Sequence, residues 1–404
     1  LTSYSEQAAR WLTALRYQDL PEDVVESTKL RVLDTIGLML GGSAVDYGRA
    51  IREAVLELNQ GGGGSHILAF GDVVSPMLAA LANGAMAEAF LFDDTHNESV
   101  IHVSAPIVST ALALGEHLKT SGADFITAVA AGSELTCRLG VVAPGQFHKS
   151  GFHPTGIIGA LGATYTACRL MGIDYERIRH AIGIVGSMAS GINESWSDGT
   201  WSQLMHPGWA AHSGIVAATM ARNGFTGPAN VLEGRFGLFR SHIQDPDYPF
   251  DFGRMVNKLG KEWENRYISF KPYPCAHVLH PFIDALLYLR EHEGLTPDKV
   301  KRITCPVADY MVPIVCEPQH EKVQPLTYAH ARTSLHFVMA EALHFGKVNF
   351  RSFNQTNIIN NDLLQLAHKV SYVVDPEAPG SWQYKGWVVV ETTDGKTLER
   401  VEEY

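Results

Sequence analysis

The sequence predicts a mainly α protein: a large all-helical bundle domain followed by a smaller α/β domain. Three observations carry this. Over the first two thirds, helix-length segments rich in Ala, Gly, Ser and small aliphatic residues recur; beyond residue 260 short β-branched runs replace them; and Asp394-Gly395 stands between two such runs as a hairpin signal. At 404 residues the chain exceeds one ordinary core, and two domains are expected, at 1–262 and 263–404.

The elements follow in order. Leu1 to Arg16 carries polar residues at helical intervals and lacks the unbroken apolar core of a secretory signal. Pro21-Glu22-Asp23 places proline and acids at a helix start, apolar residues recur at Val25, Leu30, Leu33, Ile36 and Leu40, and Gly41-Gly42 ends what reads as an amphipathic helix. Gly61 to Gly64 leads into Ser65-His66-Ile67 rather than Gly-Lys-Ser/Thr, which makes it a flexible connector and not a phosphate loop. Helical segments are expected at 76–91, 105–118, 123–139, 155–171, 176–192 and 208–223, where small residues let helix axes approach closely. In the second domain Val300 to Val307, Lys369 to Val374, Trp387 to Thr392 and Leu398 to Val401 read as strands, with helices at His280 to His292 and Thr333 to Phe345.

Composition narrows the function. The chain is 46% hydrophobic and 19% charged, with a net charge of -11 and no Lys/Arg run, which argues against nucleic acid. The five cysteines include no Cys-x-x-Cys pair, so no metal site is expected and reduced thiols are the default. The least charged stretch, Gly151 to Cys168, is interrupted by His153, Pro154 and several Thr and Gly, which speaks against a membrane span. A cytoplasmic protein is the expectation.

The chemistry concentrates in Phe92 to Pro106, where Asp93, Asp94, Thr95, His96 and His102 form a cluster bracketed by Ala-rich, otherwise apolar sequence. Two carboxylates, a hydroxyl and imidazoles can hold, deliver or remove protons near neutral pH. The same residues also suit a helix end, with Asp and Thr capping backbone amides. Gly151-Phe152-His153-Pro154-Thr155 puts His153 at a helix start, where the dipole favours a neutral imidazole. Ser202 to His212, containing Gln203 and His206, opens another helix; Ser269 to His277 is a proline-braced turn presenting Lys271 and His277. A lysine in a cleft can pair with a carboxylate or stabilise a developing enolate, although most lone lysines are simply solvated.

Taken in order, these segments resemble the MmgE/PrpD family, which includes 2-methylcitrate dehydratase, cis-aconitate decarboxylase and iminodisuccinate epimerase. The resemblance rests on Leu20-Pro21 with Leu33-Asp34-Thr35-Ile36-Gly37, Asn83-Gly84 leading to Phe92-Asp93-Asp94-Thr95, and His102. It continues through the Gly151-to-Thr155 turn, His206-Pro207-Gly208, Lys271-Pro272-Tyr273-Pro274-Cys275 and Ala331-Arg332-Thr333-Ser334-Leu335. It implies an all-helical domain, a smaller α/β lid, and a cofactor-free site between them in a homodimer. It further implies that His102 and His153 are active-site histidines, that Asp93, Asp94 and Thr95 form the acidic signature, and that Lys271 acts with Thr95 on oxygens where charge develops. Leu91, Gln203, His206 and His277 are expected to contact substrate.

Two positions depart from the family pattern: Gln203 stands where a lysine is usual and Leu91 where an acid is common. Charge-assisted bonds are lost, which suggests a small carboxylate substrate with fewer carboxylates than citrate-type tricarboxylates. The family chains usually continue into a further helix after the last hairpin, so a tail missing beyond Tyr404 is expected. The resulting expectation is a cofactor-independent lyase, a dehydratase or decarboxylase, acting by acid/base chemistry on a di- or tricarboxylate-like substrate. The alternatives are an isomerase or epimerase on a related carboxylate, and a divergent metabolite-binding member.

Overall fold

A computed structural model describes residues 2–381 and 383–403. Leu1, Trp382 and Tyr404, and with Tyr404 the expectation about the chain's end, lie outside the described residues. The chain divides into two compact units: Leu1–Ala89 with Asp93–Asn193 and Ser202–Phe270, and Phe90–Phe92 with Glu194–Trp201 and Lys271–Tyr404. The first is helical and the second α/β, so the fold is mainly α with a smaller α/β part, as the sequence predicts.

In chain order the helices up to residue 222 are α1 (Tyr4–Ala14), α2 (Glu22–Gly42), α3 (Asp46–Leu58), α4 (Pro76–Ala87), α5 (Ser104–Leu118), α6 (Gly122–Gly140), α7 (Gln146–Lys149), α8 (Pro154–Leu170), α9 (Tyr175–Val185), α10 (Ser195–Asp198, in the second unit) and α11 (His206–Arg222). Two short strand pairs accompany them. β1 (Ser65–His66) pairs with β2 (Val73–Val74), and β3 (Thr95–His96) pairs antiparallel with β4 (Ile268–Ser269). Proline opens α4, α8 and α11, and the Ser121 and Asp174 side chains cap α6 and α9.

Small residues set the helix packing. On α6 the Thr136 hydroxyl donates to the Gly132 carbonyl (2.7 Å), and on α8 the Thr166 hydroxyl donates to the Gly162 carbonyl (3.0 Å). Each threonine also fills the space above the other helix's glycine. A Cβ on Gly132 would lie 1.9 Å from Thr166 Oγ1, and one on Gly162 would lie 1.8 Å from Thr136 Oγ1. Where α4 meets α11, a Cβ on Gly84 would lie 2.7 Å from Gly208 Cα. These crossings bring backbone against backbone, and dispersion contacts at that range repay the weak helix propensity of glycine.

Three expectations are corrected. The helix drawn over 76–91 stops at Ala87, because the chain must turn there, with Leu91 at φ 51°, to carry Asp93 and Asp94 into the interior. The helix drawn over 176–192 stops at Val185, and the loop after it places Gly191 at φ 149° against the His206 ring. Helix α2 buries Val24, Val25, Thr28, Arg31, Thr35 and Leu38, while Leu30, Leu33 and Leu40 are exposed. The inward face of α2 is set by Arg31, the cation facing buried acid, rather than by the leucine periodicity.

In the second unit β5 (Val300–Val307), β6 (Val370–Val374), β7 (Lys385–Thr392) and β8 (Thr397–Glu403) form one sheet in the order β6-β5-β7-β8. β5 runs parallel to β6, and the other pairs are antiparallel. β7 alternates strictly, with Gly386, Val388, Val390 and Thr392 buried. The helix His280–His292 lies across β7 and β8, and Gly386 permits it: a Cβ there would fall 2.2 Å from the Pro281 carbonyl carbon. The hairpin expected at Asp394-Gly395 is present, with Gly395 at φ 86°. No described helix is long and apolar enough to cross a membrane, and all five cysteines are buried free thiols.

The interlocked threonines and glycines predict a stability test. Gly162→Ala should destabilise the protein by about 1–3 kcal/mol, the usual penalty for overpacking. Gly37→Ala, at an α2 position with open space around it, should be neutral or stabilising by up to ~1 kcal/mol. Urea unfolding of the two variants checks this, and equal midpoints would contradict the packing argument.

Candidate active site

The site in the first unit is built on Asp94. Its carboxylate accepts the Ser104 backbone N–H (2.9 Å) and, at short range, the Ser104 hydroxyl, which fixes the first residue of α5. Burial raises the Asp94 carboxyl above the usual carboxylate range, and Arg31 and Ser104 oppose that shift. Arg31 is itself fully buried, donates to Thr28 Oγ1 (2.9 Å), and is held below the usual guanidinium value by burial, with Asp94 acting against the loss. The capping role weighed in the sequence belongs to Asp94; Asp93 points elsewhere.

Asp93 is buried, with Oδ1 3.9 Å from His102 Nδ1. That same nitrogen is 3.0 Å from Thr95 Oγ1 and 3.2 Å from the Asp94 carbonyl oxygen. A carbonyl can only accept, so Nδ1 of His102 carries a proton. Thr95 Oγ1 therefore stands as an acceptor toward the imidazole Nδ1–H, and its own hydroxyl hydrogen is not used in that contact. The β3–β4 pairing holds Thr95 opposite Ser269, whose hydroxyl donates to the Thr95 carbonyl (3.2 Å). The backbone N–H of His102 donates to Thr155 Oγ1 (3.1 Å), which ties this segment to the start of α8.

His153 caps α8 and is buried, and four further groups surround it. Its ring centroid lies 5.9 Å from that of His102, 6.1 Å from His148 and 5.2 Å from His206. Its Nδ1 is 3.1 Å from His206 Nδ1. Burial lowers the His206 imidazole to about 4, and does the same to His148. Both are neutral at physiological pH. Glu88, fully buried at the end of α4, completes the group: one donor atom from each of Glu88, His102 and His153 falls within 4.8 Å of the others. Those three are the described residues whose donors could take a metal ion.

The remaining predicted residues fall elsewhere. Gln203 lies on the single turn Ser202–Met205 that leads into α11, three positions before His206. In the second unit Lys271 is buried, not solvated, and its Nζ donates to the Leu91 carbonyl (3.0 Å). Leu91 thus contributes its carbonyl, while its side chain is buried. His277 is buried with its ring 4.7 Å from His280 and 4.9 Å from Tyr384. Burial, with His277 and Lys271 adding to it, drives the His280 imidazole well below its ordinary value.

Four neighbours escaped the sequence reading. Glu88 is a lone charge within a small-residue helical pattern, a legible signal of burial with a partner, whereas Arg31 stands close to Lys29 and Asp34 and gives no such signal. His148 stands five residues before His153 and is brought back by the α7 turn. Asp34, half-buried on α2, is pushed up to about 7 by burial, with Asp94 and Asp93 adding to the shift.

Comparison with known proteins bears on this site. The profile of the MmgE/PrpD N-terminal domain matches residues 6–251, and that of the MmgE/PrpD C-terminal domain matches residues 273–404. The chain is 26% identical to the cis-aconitate decarboxylase-like protein oryM of Aspergillus oryzae over 98% of its own length and 85% of that protein. It is 25% identical to the cis-aconitate decarboxylase of Aspergillus terreus over 97% of its length and 83% of that protein. With the cis-aconitate decarboxylase of Homo sapiens the identity is 27%, over 93% and 78% respectively.

The neutral buried imidazoles predict a pH effect on stability. The unfolded chain takes up a proton at each histidine near pH 6.5, whereas folded His206 and His148 do so only near 4. Stability is therefore full above about 6.5 and falls as the pH drops toward 4. His206→Asn should reduce the slope of unfolding free energy against pH in this window by up to about one proton. Denaturant titrations from pH 7 to 4.5 measure it, and an unchanged slope would contradict the assignment.

Proposed function

This chain belongs to the MmgE/PrpD family, and from that membership and the site geometry we propose that it is a lyase that decarboxylates a small di- or tricarboxylate-like substrate, drawing its acid and base groups from the chain. The observation that supports it best is the pairing of His102 and His153, two imidazoles whose ring centroids lie 5.9 Å apart and whose Nδ1 atoms are each held by a neighbour within the first unit.

Loss of carbon dioxide leaves an electron pair on carbon that must spread onto a neighbouring carboxylate or carbonyl before a proton quenches it. An imidazolium Nε2–H delivers that proton, and the second imidazole restores it from solvent. Asp93 beside His102 Nδ1 stabilises the charged form of that ring. Lys271 supplies a cation for substrate oxygens, its ammonium oriented by the Leu91 carbonyl. Leu91 and Gln203 bring no charge, and the proposed substrate accordingly has fewer carboxylates than a citrate-type tricarboxylate.

A panel of di- and tricarboxylates followed by proton NMR in deuterated water tests the reading. Carbon dioxide loss with one solvent deuteron in the product is expected. His102→Ala, His153→Ala and Lys271→Ala should each slow turnover by about 100-fold or more. Gln203→Lys should raise activity on tricarboxylates. Exchange without loss of carbon dioxide or water would identify an isomerase, and wild-type rates in both histidine variants would refute the site.

A further inference from the structure

The loop that leads into His102 is strained and closed on itself. His96 and Ile101 pair across it: the His96 N–H donates to the Ile101 carbonyl (2.9 Å), and the Ile101 N–H returns to the His96 carbonyl (3.4 Å). Between them Val100 sits at φ 56°, a left-handed angle that a β-branched residue adopts only when its surroundings impose it. The fully buried His96 side chain holds the loop from within. Its Nδ1 accepts the Ser99 backbone N–H (3.3 Å) and lies 2.9 Å from Ser99 Oγ, whose hydroxyl also reaches the His96 carbonyl (3.2 Å). A backbone N–H can only donate, so this Nδ1 is an acceptor and the ring proton is on Nε2. That nitrogen stands 3.3 Å from Glu264 Oε2, and the His96 ring is the largest cause holding the Glu264 carboxyl below its ordinary range.

The residues flanking this loop are the ones that meet in the site. Thr95 precedes His96, His102 follows Ile101, and Thr95 Oγ1 is 3.0 Å from His102 Nδ1. Their approach therefore depends on how firmly the loop between them is closed. The stretch 254–269 holds the loop from outside at further points. Arg254 pairs with Glu98 (2.6 Å), and the Ser269 hydroxyl lies 3.3 Å from the Asn97 side-chain oxygen and 3.2 Å from the Thr95 carbonyl oxygen. The Arg254–Glu98 pair is partly exposed, where an ion pair contributes little. His96 differs in being fully buried and in binding the loop to itself and to Glu264 at once. We infer that His96 is a positioning residue: with its proton on Nε2 it locks the 96–101 loop, ties it to Glu264, and so fixes His102 Nδ1 against Thr95. Its importance for turnover rests on the proposed proton-transfer role of His102.

Nitrogen-15 NMR of the full chain labelled at histidine tests this without an assay. In the wild type, His96 should show a bare Nδ1 and a protonated Nε2, and His102 a protonated Nδ1. His96→Phe keeps a ring but loses both contacts. It should lower the apparent His102 pKa by about half a unit or more, as expected when acceptors that favour the charged form drift away from Nδ1. The signals of His148 and His206 should stay in place. On a substrate the same variant should slow kcat by about tenfold or more with KM little changed, since misplacement of a reacting group acts on the chemical step. His96→Asn, which keeps an oxygen acceptor for the Ser99 N–H, should recover most of both effects. Should His96→Phe fail to fold, Glu264→Ala, at the partly exposed end of the contact, should show the same His102 shift at smaller size. A wild-type His96 with its proton on Nδ1 would overturn the inference. So would unchanged His102 signals in folded His96→Phe and Glu264→Ala, or equal shifts at His148 and His206. Full activity in His102→Ala would instead remove the proposed function while leaving the hold of His96 on the loop standing.

Discussion

The burial of Asp94 governs the first unit. A carboxylate with no water around it is costly unless it is bonded and balanced, and each balancing group here reaches further into the fold. Ser104 bonds it through both N–H and hydroxyl and in doing so fixes the start of α5. Arg31 supplies the opposing charge, and α2 turns that side inward at the expense of three exposed leucines. The Asp94 carbonyl, left over by the side chain's engagement, receives the proton on His102 Nδ1. One residue thus links helix orientation to the protonation pattern of an imidazole.

The histidines gain their placement from helix starts. His153 precedes Pro154 and His206 precedes Pro207, so each imidazole stands where a helix begins and proline fixes the backbone angle. Glycines let these helices converge: Gly214 of α11 meets Ala163 of α8 at a distance that no Cβ would allow. Close backbone packing and imidazole placement are therefore one arrangement. The same burial keeps His206 and His148 uncharged.

Much of the fold is legible from residue pattern. The helices at 105–118, 123–139 and 208–223, the strands from 300 to 307 and 387 to 392 and the hairpin at Asp394-Gly395 lie where periodicity and turn chemistry put them, within a residue or two. Periodicity fails at α2, where an internal charge outranks leucine burial, and after Ala87 and Val185, where tertiary demands on Asp93 and Gly191 end the helices early. In the site, the residue types and the order of motifs singled out His102, His153 and Asp93. The same signals could not separate Asp93 from its neighbour Asp94, because adjacent residues look alike until the backbone turns one toward Ser104 and the other toward His102.

The sequence by itself determined the family and the division into helical and α/β parts, since these depend on residue identity and spacing along the chain. Only the tertiary structure decided what each group faces. Thr95 is bound to His102, Lys271 is buried against the Leu91 carbonyl, Glu88 and His148 join the histidine cluster, and His206 meets His153 nitrogen to nitrogen. The reason is physical: tautomer, charge and hydrogen-bond direction are set by neighbours within about 3 Å, and in this unit those neighbours come from segments such as 93–104, 153–155, 191 and 206, which helix packing alone brings together.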